Sequence, residues 1–410
     1  MKIALMGFGT VGMGIYKIIN NKKNDLVGIL NEELEIKKIL VRDLAKKRKI
    51  TVDKSLLTNN PNEILDDPEI DIVVEVIGGM SPAYEYICYA IKNGKHVVTA
   101  NKEVVSEYLG DILGLAKENN KKFLFEASVG GAIPIIKELK QIALINDITE
   151  IKGILNGTSN FILSQMMNKY ISFKNSLSLA QEFGYAEVNP INDIDGSDAA
   201  RKLSILSSIA FKTNVDKKDI EYRGISSIDK IDVLNFKNMN KSVKLMAMAV
   251  LKNDVISACV EPVLISEESE FYKVSDNNNM ISIMGNNIQN LQFYGRGAGE
   301  KPTANAVVCD IIDIIKLTCH ECTMLDKKSK YKVIHQMKVS DYYFRVATSK
   351  EKQSEEIINL LDKKKLGYEI IERSNNLVLK IKYIDAADMK KVTSQLNVNN
   401  IDFCYVRIDG

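Results

Sequence analysis

The sequence has no tryptophan, and only three histidines (His96, His320, His335) and six cysteines in 410 residues. So few histidines leave no His-based metal centre to assemble. Scattered cysteines in a chain this long form no disulfide framework, which predicts a reducing, cytoplasmic location. Cys319 and Cys322 are the one close pair, and with only His320 beside them they do not complete a zinc site. No apolar run approaches the roughly 18 residues that span a bilayer. An excess of one charge is missing too: 55 Lys plus Arg against 53 Asp plus Glu gives +2, without the footprint of a nucleic-acid binder. Met1-Lys2-Ile3-Ala4-Leu5-Met6-Gly7 starts like a signal peptide, but glycine and polar residues follow and no small-residue cleavage site does. It reads as a buried first strand. What remains, 45% apolar and 26% charged residues, is the balance of a globular chain of two or three domains.

The first third alternates short apolar runs with helical patterns, the signature of an α/β fold with a parallel sheet. Strands are expected at Lys2–Gly7, Ile36–Val41, Ile72–Ile77, His96–Thr99 and Lys122–Glu126, with helices at Met13–Asn20, Ala83–Lys92 and Tyr108–Glu118. The middle reads as α+β. A strand at Ile148–Leu155 precedes helices starting near Ser159, Ser176 and Ser197. Then come Val243–Leu251 and Val255–Leu264, and Met280–Met284 and Ile288–Tyr294, each pair joined by a tight polar turn and hence antiparallel. Past Pro302 lies an apolar helix, Asn305–Leu317, and then a basic linker, Asp326–Lys332. The last seventy residues form a small unit in βαββαβ order, the ferredoxin-like arrangement. Its strands are Asp341–Thr348, Tyr368–Arg373, Leu377–Ile384 and Phe403–Ile408, and its helices Ser354–Leu366 and Ala386–Leu396. Cys259, Cys309 and Cys404 sit in apolar contexts and are expected in cores.

Gly7-Phe8-Gly9-Thr10-Val11-Gly12 follows a strand at once and opens a helix, the context of a Rossmann-type dinucleotide fingerprint. Gly7 permits the tight turn, Gly9 lets the backbone approach a pyrophosphate, and Gly12 lets helix and strand close up. The second strand ends Val41-Arg42-Asp43, with Lys46, Lys47, Arg48 and Lys49 behind it. An Arg there suits a 2′-phosphate, so NADP is favoured over NAD. Strand ends at Ile77-Gly78-Gly79 and Ala100-Asn101-Lys102 aim at the carboxyl side of the sheet, where ligands of such sheets bind. Downstream, four acids lie close together in Glu187…Asp193…Asp195…Asp198, and Lys202 follows. Asp198 and Lys202 are four apart on a helix and share a face. An exposed pair would contribute only about 0.3–0.5 kcal/mol; in a closed cleft it holds an ammonium where a proton must move.

These motifs occur in a fixed order: GFGTVG, VVTANK, EASVGGAIPII, GILNGTSN, GYAEVNPINDIDGSDAARKL and GRGAGEKPTANAVVCDI. Through about residue 320 the chain resembles homoserine dehydrogenases. The resemblance implies interconversion of L-homoserine and L-aspartate 4-semialdehyde with NAD(P), on the route to threonine, isoleucine and methionine. It implies that Glu187 holds the substrate's α-ammonium, with Asp193 and Asp198 lining the same pocket. Lys202 is then the general acid/base and Lys102 lies beside cofactor and substrate; in the family either lysine is a candidate proton carrier, and Lys202 ranks first. Gly184 and Gly299 match positions near the cofactor, and Thr10 and Val11 its pyrophosphate loop. Glu126–Ile133 resembles a monovalent-cation loop, with the Glu126 carboxylate and the carbonyls of Val129, Gly131 and Ile133 around sodium. Residues 340–410 resemble an ACT module. There the first strand leads into Ala347-Thr348-Ser349-Lys350-Glu351, without the family's Pro and Gly, which argues against threonine feedback and for a role in subunit contact.

The expected architecture is a nucleotide domain at 1–134, completed by about 296–320, a substrate-binding and dimerisation domain at 135–320, and an ACT-like domain at 330–410. Small-molecule substrates and a homodimer or higher homo-oligomer are expected, with no nucleic acid or membrane partner. Two other readings stay open: a dehydrogenase of another small amino acid, and a non-catalytic regulator sensing NADPH and an amino acid.

Overall fold

The computed structural model describes residues 1–318, 330–334, 339–348, 351–398 and 401–409. Cys319, His320, Cys322, His335, Ser349, Lys350 and most of the 326–332 linker lie outside them. The chain forms two compact units: Met1–Ile148 with Ser204–Lys217 and Gly285–Lys330, and Thr149–Leu203 with Lys218–Met284 and Tyr331–Gly410.

The first unit carries six parallel strands among its described residues: β1 (Lys2–Met6), β2 (Glu35–Leu40), β3 (Leu57–Thr58), β4 (Ile72–Glu75), β5 (His96–Thr99) and β6 (Phe123–Leu124), in the order β3-β2-β1-β4-β5-β6. Ile3, Leu5, Ile39, Ile72, Val74 and Val98 are fully buried, as expected of strands covered on both faces. The order reverses beside β1, so β1 and β4 flank the crevice where such sheets take ligands. The helix Glu300–Lys316 packs on Thr10–Asn21. Its buried residues Ala304, Val307, Val308, Ile311 and Ile314 recur at helical spacing, and a Cβ on Gly14 would meet Ala304 Cβ at 2.8 Å. Cys309 faces away from this stripe and is exposed, a correction to its expected burial; Cys259 and Cys404 are buried. The helix begins five residues before the expected Asn305, because Pro302 falls in its first turn, where a missing N–H costs nothing.

The second unit is built on a mixed sheet. β7 (Ile148–Ile154), β9 (Lys241–Lys252) and β10 (Val255–Ser266) lie side by side, with the short β8 (Glu221–Tyr222) parallel to β10. β9 and β10 pair over twelve residues around Asn253 and Asp254. Both take left-handed φ, 50° and 59°, the two-residue turn whose twist matches the flanking strands. The sheet then continues through Phe403–Ile408, Ser340–Ala347, Asn376–Ile384 and Gly367–Arg373. These four strands and the helices Glu351–Lys363 and Ala386–Val398 give the βαββαβ module its own core around Phe344, Leu361, Leu379 and Val392.

Candidate active site

In the first unit the glycine loop is shaped by close contacts. Gly7 has φ +114°, and a Cβ there would fall 2.6 Å from the Val76 carbonyl. One on Gly12 would fall 2.3 Å from the Gly7 carbonyl, whereas one on Gly9 would meet nothing within 4 Å. Gly9 is exposed, so open space lies above the point where a pyrophosphate would meet the N-terminus of the helix Thr10–Asn21. Phe8 and Val11 are half-buried and Thr10 is exposed. Arg42 stands exposed just past β2. Arg48 bonds the Asp43 and Lys46 carbonyls and sits 6.0 Å from the Phe8 ring centre.

At the ends of β4 and β5, the paired Glu75 and Thr99 organise the neighbouring loops. Glu75 is fully buried and accepts from Thr99 Oγ1 at 2.7 Å and from the Ile77 N–H at 2.8 Å. Burial pushes its carboxyl above the usual range, against these donors. Thr99 Oγ1 accepts from the Asn101 N–H, and Asn101 donates to the Gly79 carbonyl while its Oδ1 accepts the Glu103 N–H. Asn101 is thereby the cap of the helix Lys102–Glu118, and Lys102 is fixed as its first residue. Gly78 and Gly79 take left-handed φ, 80° and 76°.

The second unit gathers the acids and the other lysine. Lys202 Nζ lies 2.7 Å from Asp198 Oδ2 and 2.8 Å from the Leu155 carbonyl, with both side chains buried. An ammonium carries three N–H groups, and these two acceptors engage two of them. Asn156 Nδ2 bridges Asp193 and Asp198, 2.8 Å from each, while its Oδ1 accepts the Ser159 N–H and caps the helix Gly157–Lys169. Gly157 admits no side chain: a Cβ would sit 2.7 Å from the Asn277 carbonyl. Glu187 is exposed, and among the described residues its carboxylate meets none of Asp193, Asp198 and Lys202. Its loop is tied down by Thr158 Oγ1 on the Tyr185 carbonyl (2.6 Å) and by the Phe161–Tyr185 ring contact (5.0 Å). Gly184 turns that loop at φ +71°.

Comparison with known proteins assigns both sets of residues to one family. A homoserine dehydrogenase family model matches residues 134–312, and the model of that family's NAD-binding domain matches 7–126. The chain is 39% identical over 316 residues to homoserine dehydrogenase of Bacillus subtilis, covering 77% of this chain and 73% of that protein. It is 40% identical over 319 residues to that of Synechocystis, with the same coverage. The chain belongs to the homoserine dehydrogenase family. Among solved structures, a homoserine dehydrogenase from Thiobacillus denitrificans superposes with a TM-score of 0.87 at 32% identity, over all of this chain and 98% of that one. A hyperthermophilic archaeal homoserine dehydrogenase solved with NADPH gives 0.65 at 27% identity, over 78% of this chain and 99% of that one. The protein is thus an oxidoreductase with an NAD(P)-binding domain that interconverts L-homoserine and L-aspartate 4-semialdehyde. Among the described residues no helix is long and apolar enough to cross a membrane.

Glu126 and Val129–Ile133 form a loop in the first unit that is buried except at Ala132. The Glu126 carboxylate accepts the Ile136 and Lys137 N–H groups at 2.8 and 2.7 Å, capping the helix Ile135–Ile142. Gly131 has φ +56° and lies against Gly297, where a Cβ would clash at 2.5 Å. Gly299, at φ +131°, precedes the helix Glu300–Lys316. Two residues of consequence were given no role by their residue type in sequence. Asn156 was legible only as an Asn ahead of Gly-Thr-Ser, a helix start; Glu75 only as an acid ending an apolar strand.

Proposed function

We propose that Lys202 is the proton carrier of the dehydrogenase and that Asp193, Asp198 and Glu187 recognise the amino acid. The bond from Lys202 to Asp198 carries this reading: it keeps an ammonium buried and oriented, with one N–H available to the reacting oxygen. In semialdehyde reduction the Lys202 ammonium gives a proton to the forming alkoxide and is left as the amine; in homoserine oxidation that amine takes the hydroxyl proton and returns to the ammonium. Asn156 holds the two aspartates at a fixed separation, and Glu187 with Asp193 attracts the α-ammonium. Lys102, Gly78, Gly184 and Gly299 are assigned to the coenzyme side. The nicotinamide coenzyme would supply the hydride acceptor or donor, and the Gly7–Gly12 loop, open at Gly9, would hold its diphosphate. NADP is favoured by Arg42 and the exposed basic run behind it, and by the archaeal relative's NADPH.

The Glu126 loop fits a monovalent cation by its chemistry: a buried carboxylate beside Gly130 and Gly131, whose left-handed turns redirect the carbonyls. Glu126 with the carbonyls of Val129, Gly131 and Ile133 would hold sodium and brace the loop. The domain division at 1–134 with about 296–320, 135–320 and 330–410, an ACT-like character for the last part, and a homodimer complete the proposal.

The test is absorbance of the reduced coenzyme with L-homoserine and each oxidised coenzyme. Lys202→Ala is expected to lower kcat about 10²–10⁴-fold with coenzyme binding intact; retained turnover removes Lys202 from its role. Preference for NAD overturns the coenzyme assignment, and inhibition by threonine overturns the reading of the tail as insensitive. Unchanged activity after sodium is exchanged for tetramethylammonium, or a monomeric mass by light scattering, overturns the cation and dimer assignments.

A further inference from the structure

Behind the two aspartates runs a segment to which the reaction assigns no part, Glu221–Ser227. Glu221 and Tyr222 pair with Cys259 and Val260 of β10, and the Arg223 N–H donates to the Val260 carbonyl at 2.8 Å. Gly224 then presses on the aspartate loop: a Cβ there would lie 1.9 Å from the Ile194 carbonyl oxygen and 2.6 Å from Asp195 Cα. The Ile225 N–H donates to the same Ile194 carbonyl at 2.9 Å. Gly196, at φ +92°, packs against Arg223, where a Cβ would sit 3.3 Å from the Arg223 carbonyl. Three consecutive residues, 223 to 225, therefore fix the backbone of Ile194–Gly196, the stretch between Asp193 and Asp198.

On the other side the same segment is gripped by the βαββαβ module. The Arg223 guanidinium lies 3.7 Å from the Tyr405 ring centre, donates to the Tyr405 carbonyl, and pairs with Glu261 at 3.0 Å. Glu261 also faces Arg407 at 3.5 Å. Lys390 pairs with Glu221 at 2.7 Å, and Arg345 donates to the Ser227 carbonyl at 3.2 Å. A planar guanidinium that stacks, donates to a carbonyl and meets a carboxylate fixes direction as well as distance, which a lysine cannot do.

We infer that Arg223 is a positioning residue of the substrate site: it locks the Glu221–Ser227 strap to the terminal module, and the strap in turn sets the spacing of Asp193 and Asp198. The inference rests on the reading that these aspartates bind homoserine. The side chain of Arg223 bonds to the Tyr405 carbonyl and Glu261, and the glycine loop belongs to the other unit, so its loss is expected to act through the aspartates and on homoserine alone.

The experiment measures KM for homoserine and for the coenzyme in full-length Arg223→Ala, Arg223→Lys, Tyr405→Leu and Asp193→Asn. The expected result is a homoserine KM raised roughly tenfold or more in Arg223→Ala, less in Arg223→Lys and Tyr405→Leu, with coenzyme KM unchanged in all three. If Arg223→Ala does not fold, the two milder variants decide. An unchanged homoserine KM, or an equal rise for both ligands, overturns the inference. Asp193→Asn separates the two claims: if it raises homoserine KM while the Arg223 and Tyr405 variants do not, the strap has no such role. If Asp193→Asn is itself without effect, the substrate-site reading falls and this inference with it.

Discussion

Asn156 does with one side chain what neither aspartate does for itself. Two carboxylates brought to one nitrogen repel, and an amide donating to both offsets that repulsion while its oxygen caps a helix. Asn156→Ala is expected to raise homoserine KM and to destabilise the fold by about 1–2 kcal/mol; unfolding midpoints and initial rates on one preparation check both. The Asp198–Lys202 pairing was legible in sequence because one helical turn separates the two residues. The Asn156 bridge was not, because its partners stand 37 and 42 residues away and only the folded chain brings them round. Glu75 hid for a related reason: an acid closing an apolar run looks like a strand end meeting solvent, and its burial appears only once Thr99 is paired beside it.

Elements carried by long apolar periodicity were read closely, and those without it were not. Ala83–Lys92 and Phe403–Ile408 have the expected limits. The helix Lys102–Glu118 begins six residues before the expected Tyr108, and Tyr108 itself departs from helical geometry at φ −123°, so the pattern there breaks and restarts. Lys23–Leu30 and Ile135–Ile142 leave no clear signal in the sequence, each being eight residues long and too short for a clear period. The glycine loop was legible, and its members carry different loads. Gly9→Ala leaves the loop undisturbed, since nothing lies within 4 Å of the new Cβ, but puts a methyl where the proposed site would admit a pyrophosphate. Gly12→Ala drives a methyl into the Gly7 carbonyl. Calorimetry and coenzyme titration are expected to separate them: Gly9→Ala loses affinity at an unchanged Tm, while Gly12→Ala loses Tm as well.

At the scale of the whole molecule, stability is tied to pH through Lys244. It lies in β9, 3% exposed, and donates to the Val274 carbonyl. Burial, opposed by the Asp276 charge, pushes its ammonium down to about 8 from 10.5. A folded value below the unfolded one means that the unfolded chain binds more protons between pH 8 and 10.5, so this group's contribution becomes more favourable as pH rises through that window. Lys244→Met is expected to be more stable than the parent at pH 7, by on the order of 1–3 kcal/mol, with the difference vanishing above pH 10.5. Unfolding midpoints at the two pH values measure it; an unchanged difference contradicts the burial argument.

The strand Phe403–Ile408 lies between β10 on one side, through Val263 with Arg407 and Leu264 with Ile408, and Ser340–Ala347 on the other. It is the seam of the second unit. A protease cut just ahead of it would bare two rows of unanswered amides and carbonyls at once, one on each half of the split sheet. Such raw margins recruit other chains, so a nicked molecule would be lost to clumping before it could be counted as a slower enzyme.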